Sequence, residues 1–319
     1  PHMHAAAFSP RGGVSPRGTL LRGQSIIEYV LIIAIIGLVI VFAGPGVAGA
    51  IRNPFNLVGN TVNSGTTGGT EGGASGGASA GADSATVQAA VAKDAKDWTL
   101  GEQKAVAEDI AAKGEASPAY AKAKAAMDAG TKFSMKLTNG QTLEYKIIGI
   151  NHDDLADGTG KAGLTFEATN NALGAQRMNA TNDNAGGWEK SELRGRLNSG
   201  DLWALLPAEI QSKAKAVTKM TDNKGGGGAG APSATTDKVF LLSSTEVWGN
   251  LDGDGTQYEY YASKGVSTSS YSGASSSNHH WTRSVSPSGS AYFRCVRRIG
   301  DWISGDATLT YYLFPAFSF

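Results

Sequence analysis

The strongest constraint on this chain is the apolar run VLIIAIIGLVIVFAGPGVAGAI, which extends from Val30 to Ile51 without a charged residue. As a helix it would reach about 33 Å at roughly 1.5 Å per residue, enough to cross a hydrocarbon core about 30 Å thick. A secretory h-region is shorter, typically about 7–15 residues, and ends at a small-residue cleavage site such as Ala48-Gly49-Ala50. Glu28 fits neither a plain anchor nor a signal peptide. An ionised carboxylate at the edge of such a run is costly unless it has a partner or a task. Near the far end, Gly44-Pro45-Gly46 predicts a kink, because proline removes a backbone donor and crowds the preceding turn.

The residues just before the run, Arg22-Gly23-Gln24-Ser25-Ile26-Ile27-Glu28-Tyr29, resemble the processing site of the Flp (Tad, type IVb) pilin family. That pattern is a glycine, four residues, Glu-Tyr and then a hydrophobic helix. The resemblance implies cleavage by a prepilin peptidase after Gly23, with Gln24 as the new N-terminus and Glu28-Tyr29 serving assembly. It also implies the partners: other pilin subunits, the peptidase and assembly machinery, and the membrane before assembly. The spacing has a physical rationale. Glu28 lies about one helical turn from the freed amine of Gln24 and could neutralise that of a neighbouring subunit, making two costly charges tolerable together. A one-pass signal anchor whose glutamate snorkels to the interface is the alternative. Residues 1–22 contain Arg11, Arg17 and Arg22 and no acid, which keeps this leader cytoplasmic and sends Ile51 outside.

Residues 59–83, GNTVNSGTTGGTEGGASGGASAGAD, have nothing to bury and read as a flexible linker. Both G-x-S-x-G matches inside it lack the strand and helix that a nucleophile elbow needs. Lys plus Arg and Asp plus Glu number 28 each, so no global field attracts nucleic acid. Cys295 is the only cysteine, which excludes an intrachain disulfide, a CxxC redox pair and a multi-thiolate zinc site. It reads as a buried small hydrophobe, with intermolecular pairing as the alternative.

From Ser84 the pattern becomes helical. SATVQAAVAKDAKDW is alanine-rich, Thr99-Leu100-Gly101-Glu102 forms a capping box, Gly114 stops that helix, and Ser117-Pro118 opens another that ends at Gly130. The period then switches to two around Asn139-Gly140, a hairpin signal. Further strands are expected over Gly163 to Ala168, Lys238 to Ser243, Ala291 to Arg297 and Leu309 to Phe314, with helices over Trp188 to Asn198 and Pro207 to Ala216. The class is α+β. The expected organisation is a leader over 1–23, a pilin helix over 24–58, the linker over 59–83, a helical segment over 84–130 and a globular head over 131–319.

Several motifs in the head occur in an order that carries a second resemblance. They are Ile148-Gly149-Ile150-Asn151-His152-Asp153-Asp154, Gly187-Trp188-Glu189-Lys190-Ser191 running into Leu193-Arg194 and Leu197-Asn198, Asp237 to Ser243 with Glu246, Trp281-Thr282-Arg283-Ser284, and Pro315-Ala316-Phe317. Together they resemble a bacterial surface domain of unknown function with a C-type-lectin-like fold, related to the formylglycine-generating enzyme. Thr282 and Val285 depart from the leucine and proline common there. The enzymatic relatives use a pair of cysteines, so a chain with Cys295 alone inherits no oxidase chemistry.

Other candidate chemistry is thinner. Asn250, Asp252 and Asp254 occupy positions one, three and five of a calcium-loop pattern with Gly255 at the turn, but position twelve is Tyr261 and Glu259 falls two residues early. A solvated Asp-Gly turn is the plainer reading and calcium the alternative. His279 and His280 follow a Ser/Gly-rich loop and are candidates for binding a surface ligand, glycan or protein, while Trp281 reads as core. No spacing points to a Ser/His/Asp triad from His152, His279 or His280. The glycines from Gly225 to Gly230 match G-x-G-x-x-G, but Thr221 to Lys224 ahead of them read as loop. These features predict a minor or tip pilin-like subunit with a non-catalytic head, and no resident cofactor beyond that possible calcium.

Overall fold

The computed structural model describes residues 84–319. The leader, the apolar run and the linker, including Gly23, Gln24, Glu28 and Tyr29, lie outside the described residues. The chain enters through α1 (Ser84–Val91), α2 (Leu100–Lys113) and α3 (Tyr120–Ala129). The helical stretch expected to continue to Trp98 stops at Val91, and only one 3₁₀ turn, Ala95–Asp97, follows. α2 begins where the capping box requires: Glu102 N donates to Thr99 Oγ1 at 3.2 Å and Thr99 N donates to Glu102 Oε2 at 2.8 Å. No helix among the described residues is long and apolar enough to cross a membrane.

β1 (Phe133–Lys136) and β2 (Thr142–Ile150) pair antiparallel across the Asn139-Gly140 turn. β3 (Leu164–Ala168), buried along its whole length, pairs with β2 through a bulge between Ile147 and Gly149. A short β4 (Ala175–Gln176) precedes four small helices: α4 (Gly187–Lys190), α5 (Glu192–Asn198), α6 (Asp201–Leu205) and α7 (Ala208–Lys213). The single helix expected over Trp188 to Asn198 is broken at Ser191, whose extended backbone (ψ 139°) lets its hydroxyl accept from Arg194 N at 3.2 Å and cap α5.

β5 (Val217–Asp222) and β6 (Pro232–Asp237) form a separate two-stranded sheet. A strand therefore does precede the Gly225–Gly230 tract, contrary to the loop expected there. β6 follows the tract instead of the helix that a dinucleotide site needs. The strand expected over Lys238 to Ser243 shortens to β7 (Val239–Phe240), because Ser243 caps α8 (Ser244–Trp248) with Glu246 in a second capping box. After α9 (Glu259–Ser263) come β8 (His280–Val285), β9 (Tyr292–Val296), β10 (Trp302–Asp306), β11 (Tyr311–Tyr312) and β12 (Ala316–Ser318).

The two larger sheets run β1-β2-β3-β12-β7 and β10-β9-β8-β11-β4. Their pairings are antiparallel except that of β8 with β11. The class is thus mixed α+β. Phe133, Tyr145, Phe166, Phe317 and Phe319 pack ring on ring, with centroids 5.3–5.7 Å apart for Tyr145–Phe317 and Phe133–Tyr145. Trp188, Trp248 and Trp281 are fully enclosed, and Cys295 is buried beside β10 as a small hydrophobe, its thiol pushed up by burial.

Candidate functional site

Alternation along β5 turns Val217, Lys219 and Thr221 inward, so an ammonium group is driven into the protein. Lys219 is 2% exposed and lies between two carboxylates, 2.6 Å from Asp153 Oδ1 and 2.6 Å from Glu246 Oε1. Arg283 on β8, wholly buried, pairs with Glu246 through both of its terminal nitrogens. Its Nε also donates to Thr221 Oγ1 at 2.7 Å, and Nη1 to Leu241 O at 2.9 Å. Thr165 Oγ1 donates to Asp153 Oδ2 at 2.6 Å, and Tyr258 OH donates to the same carboxylate at 2.9 Å while accepting from Lys219 at 3.1 Å. Burial alone would lift both acids, but the fields of Lys219 and Arg283 hold Asp153 and Glu246 below the usual carboxylate range. Burial pushes Tyr258 well above the ordinary phenol range. Two cations and two anions therefore satisfy one another, which is the condition for tolerating buried charge.

A cleft of about 340 Å³ opens over this floor and is rimmed by Asn151, His152, Lys161, Thr256 and Glu259. His152 stacks on Tyr258 with ring centroids 4.1 Å apart, and its Nδ1 meets Glu259 Oε1 at 3.0 Å. Burial opposes charging of the imidazole. The Glu259 hydrogen bond and the Asp153 charge outweigh it and raise the pKa above the ordinary 6.5. Gly149 makes this seat possible, since a Cβ there would lie 2.8 Å from Tyr258 Cδ1 and 3.0 Å from His152 Cβ. Asn151 adopts φ +51°, the only non-glycine among the described residues with positive φ, and its buried Oδ1 has no hydrogen-bond partner. The arrangement can exchange a proton at His152 and offer hydrogen bonds at the rim. It presents no activated nucleophile.

The calcium-loop residues are arranged for a different task. Asn250 is exposed. Asp252 accepts from Ser244 and is gripped by Arg294 at 3.1 and 3.2 Å, while Asp254 accepts from Ser284, Ser244 and Thr245 N. The position-twelve residue, Tyr261, points elsewhere and donates to Glu167 at 2.6 Å. Among the described residues no three His, Cys, Asp or Glu side chains gather as a metal would need. The peptide hydrogens of the glycine tract are likewise engaged, with Gly230 N on Asp222 at 2.6 Å and Gly226 N on Asn184 at 2.7 Å.

The two adjacent histidines part company. His279 tilts against Tyr311, whereas His280 is 5% exposed, stacked 4.3 Å from Phe314, and pushed down to about 4 by burial. Trp281 is core, donating to Gln176 O at 2.7 Å. Ser276 lies 3.3 Å from His280 Nδ1, but its hydroxyl donates to Asn278 O and no carboxylate bonds the imidazole, so His280 takes no part in a Ser/His/Asp triad. Asp153, Glu246 and Arg283, noticed in the sequence only as parts of separate motifs, meet in one network. Lys219, Tyr258 and Glu259 were missed as its partners. The period-two stretch from Val217 to Asp222, which places Lys219 on the same face as Val217, was the signal for the first of them.

No curated protein and no solved structure matches the chain. Residues 161–319 match the family described as a domain of unknown function, DUF6273, a stretch that takes in Lys219, Glu246, Glu259 and Arg283 and begins after Asn151, His152 and Asp153.

Proposed function

We propose that the chain is a pilin-like subunit of the type IVb (Tad/Flp) kind, in a minor or tip position, that displays residues 84–319 as a non-catalytic, C-type-lectin-like binding head at the cell surface. The observation that carries this reading is the spacing of Gly23 and Glu28-Tyr29 ahead of the uncharged run Val30–Ile51. That run suits both residence in the cytoplasmic membrane as a precursor and packing in a filament core afterwards. On the head, the charges beneath the His152 cleft are consumed by one another, which supports recognition at its rim rather than turnover.

N-terminal sequencing of protein recovered from sheared surface filaments tests the reading, with Gln24 expected as the first residue. A chain starting at Met3 or just after Ala50 overturns the pilin assignment. Recovery only in the envelope fraction favours an anchored protein that does not polymerise.

A further inference from the structure

Mutual neutralisation accounts for the charges beneath the His152 cleft but not for their crowding. Glu246 already takes both terminal nitrogens of Arg283, and that fork alone matches its charge. Lys219 nevertheless lies 2.6 Å from Glu246 Oε1 as well as 2.6 Å from Asp153 Oδ1. The amine is thus set between an acid that Arg283 has already paired and one whose sole ion-pair partner among the described residues is that amine.

Asp153 is engaged on its other sides too. Thr165 Oγ1 donates to its Oδ2, and the Tyr258 hydroxyl lies within 3.0 Å of both its oxygens while accepting from Lys219 at 3.1 Å. The Phe240 ring centroid is 4.4 Å from Lys219 Nζ, and Lys219, Asp153 and Glu246 are only 2–3% exposed. The backbone fixes their approach. Leu155 bridges to Val217 and Thr218 N donates to Asp154 O at 2.9 Å, so the residues next to both groups are already held together. An ammonium and a carboxylate confined here carry a desolvation cost, whereas an amide between them is neutral and releases one water. Fixing amine and acid side by side also removes the entropy of bringing them together.

We propose that Lys219 Nζ and Asp153 Cγ condense to an isopeptide bond, with Glu246 as the proton carrier. Glu246 Oε1 takes one proton from Lys219, freeing the lone pair that attacks Asp153 Cγ and forms the C–N bond. The electron pair pushed onto the carboxyl oxygens is held by the Thr165 and Tyr258 hydroxyls. Tyr258 accepts a second proton from the nitrogen as it gives its own to the departing oxygen, and Glu246 returns the first. The C–O bond then breaks, and water leaves through the cleft that Lys219, Asp153 and Glu246 all line. The amide keeps the third proton, Glu246 is again the carboxylate of Arg283, and nothing is oxidised or reduced. The product ties the segment after β2 to β5 across 66 residues, a covalent brace in a chain whose lone Cys295 excludes a disulfide within it. It is independent of what the rim binds and of filament assembly.

The full chain, synthesised cell-free into detergent micelles, is sampled over time, unfolded in urea and digested with trypsin. The expected product is one branched species in which residues 147–161 and 216–224 are joined through Lys219, uncut after that residue and one water lighter than the two peptides together. Glu246→Gln should slow its appearance roughly a hundredfold, and Tyr258→Phe, which keeps the ring beneath His152, should slow it less. Thermal melts identify a variant that fails to fold, and the wild-type digest decides in either case. Separate peptides with cleavage after Lys219 in the aged wild-type chain overturn the assignment. So does linkage at an undiminished rate in folded Glu246→Gln and Tyr258→Phe, which leaves the proton steps without their carriers.

Discussion

Glu246 holds two cations from different strands, so removing its charge strands both. Glu246→Gln keeps the shape and should cost roughly 3–5 kcal/mol in urea unfolding, the usual penalty for breaking a buried ionic cluster by one member. The exposed pair of Lys161 with Asp154 is the control, and Lys161→Met should change stability by about 0–1 kcal/mol. His280 makes a pH prediction. Its folded pKa lies at about 4, below the ordinary 6.5, so the unfolded chain takes up a proton that the folded one refuses. That contribution is fully present above pH 6.5 and is lost as pH falls to about 4, a difference of about 3 kcal/mol that His280→Gln should remove from the wild-type pH profile. Neither residue's environment was legible in the sequence. Glu246 appeared only beside the Asp237 to Ser243 motif, with no sign that it caps α8, and His280 appeared as a surface candidate, because a Ser/Gly-rich approach says nothing about the Phe314 ring that covers it.

The elements vary in how openly the sequence declares them, and the difference is one of length and signal. The capping box at Thr99 and the Asn139-Gly140 turn each join two local cues, and both stand where expected. The Trp188 to Asn198 stretch holds Trp188, Leu193 and Leu197 at near-helical spacing, and the break between them is a serine whose capping partner is a peptide N–H. β11 has two residues and cannot show a period at all. The connection between β5 and β6 allows an element-scale test. Gly225 and Gly228 both adopt positive φ, +60° and +100°, so alanine at either incurs roughly 1–3 kcal/mol of backbone strain. At Gly228 the Cβ meets open space, whereas at Gly225 it would lie 2.0 Å from Asn184 O, the backbone of the residue that ties this loop to β9. Gly225→Ala should therefore lower the melting temperature well beyond Gly228→Ala in paired thermal scans.

Across the whole molecule, the proposed division of labour makes insertion and assembly separable. Glu28→Leu makes the apolar segment more apolar, so membrane insertion should persist while recovery in sheared filaments falls to background. Normal incorporation of that variant would remove Glu28 from assembly. The α+β character of residues 84–319 was legible, since helical signals give way to period-two strands after Gly130. The order of strands was not, because β12 is three residues long, carries no pattern of its own, and still takes the place between β3 and β7. That place has a consequence for synthesis. Ser318 must find Thr165 across a sequence separation of 153 residues, and β7 gains its antiparallel neighbour in the sheet only from Ala316 and Phe317. A ribosome that has made residue 300 has made the other four strands of that sheet but not the strand that joins β7 to β3. Closure therefore waits on Ala316 to Ser318 and is slow, as non-local pairing generally is. Until those residues emerge, β7 has no neighbouring strand in that sheet.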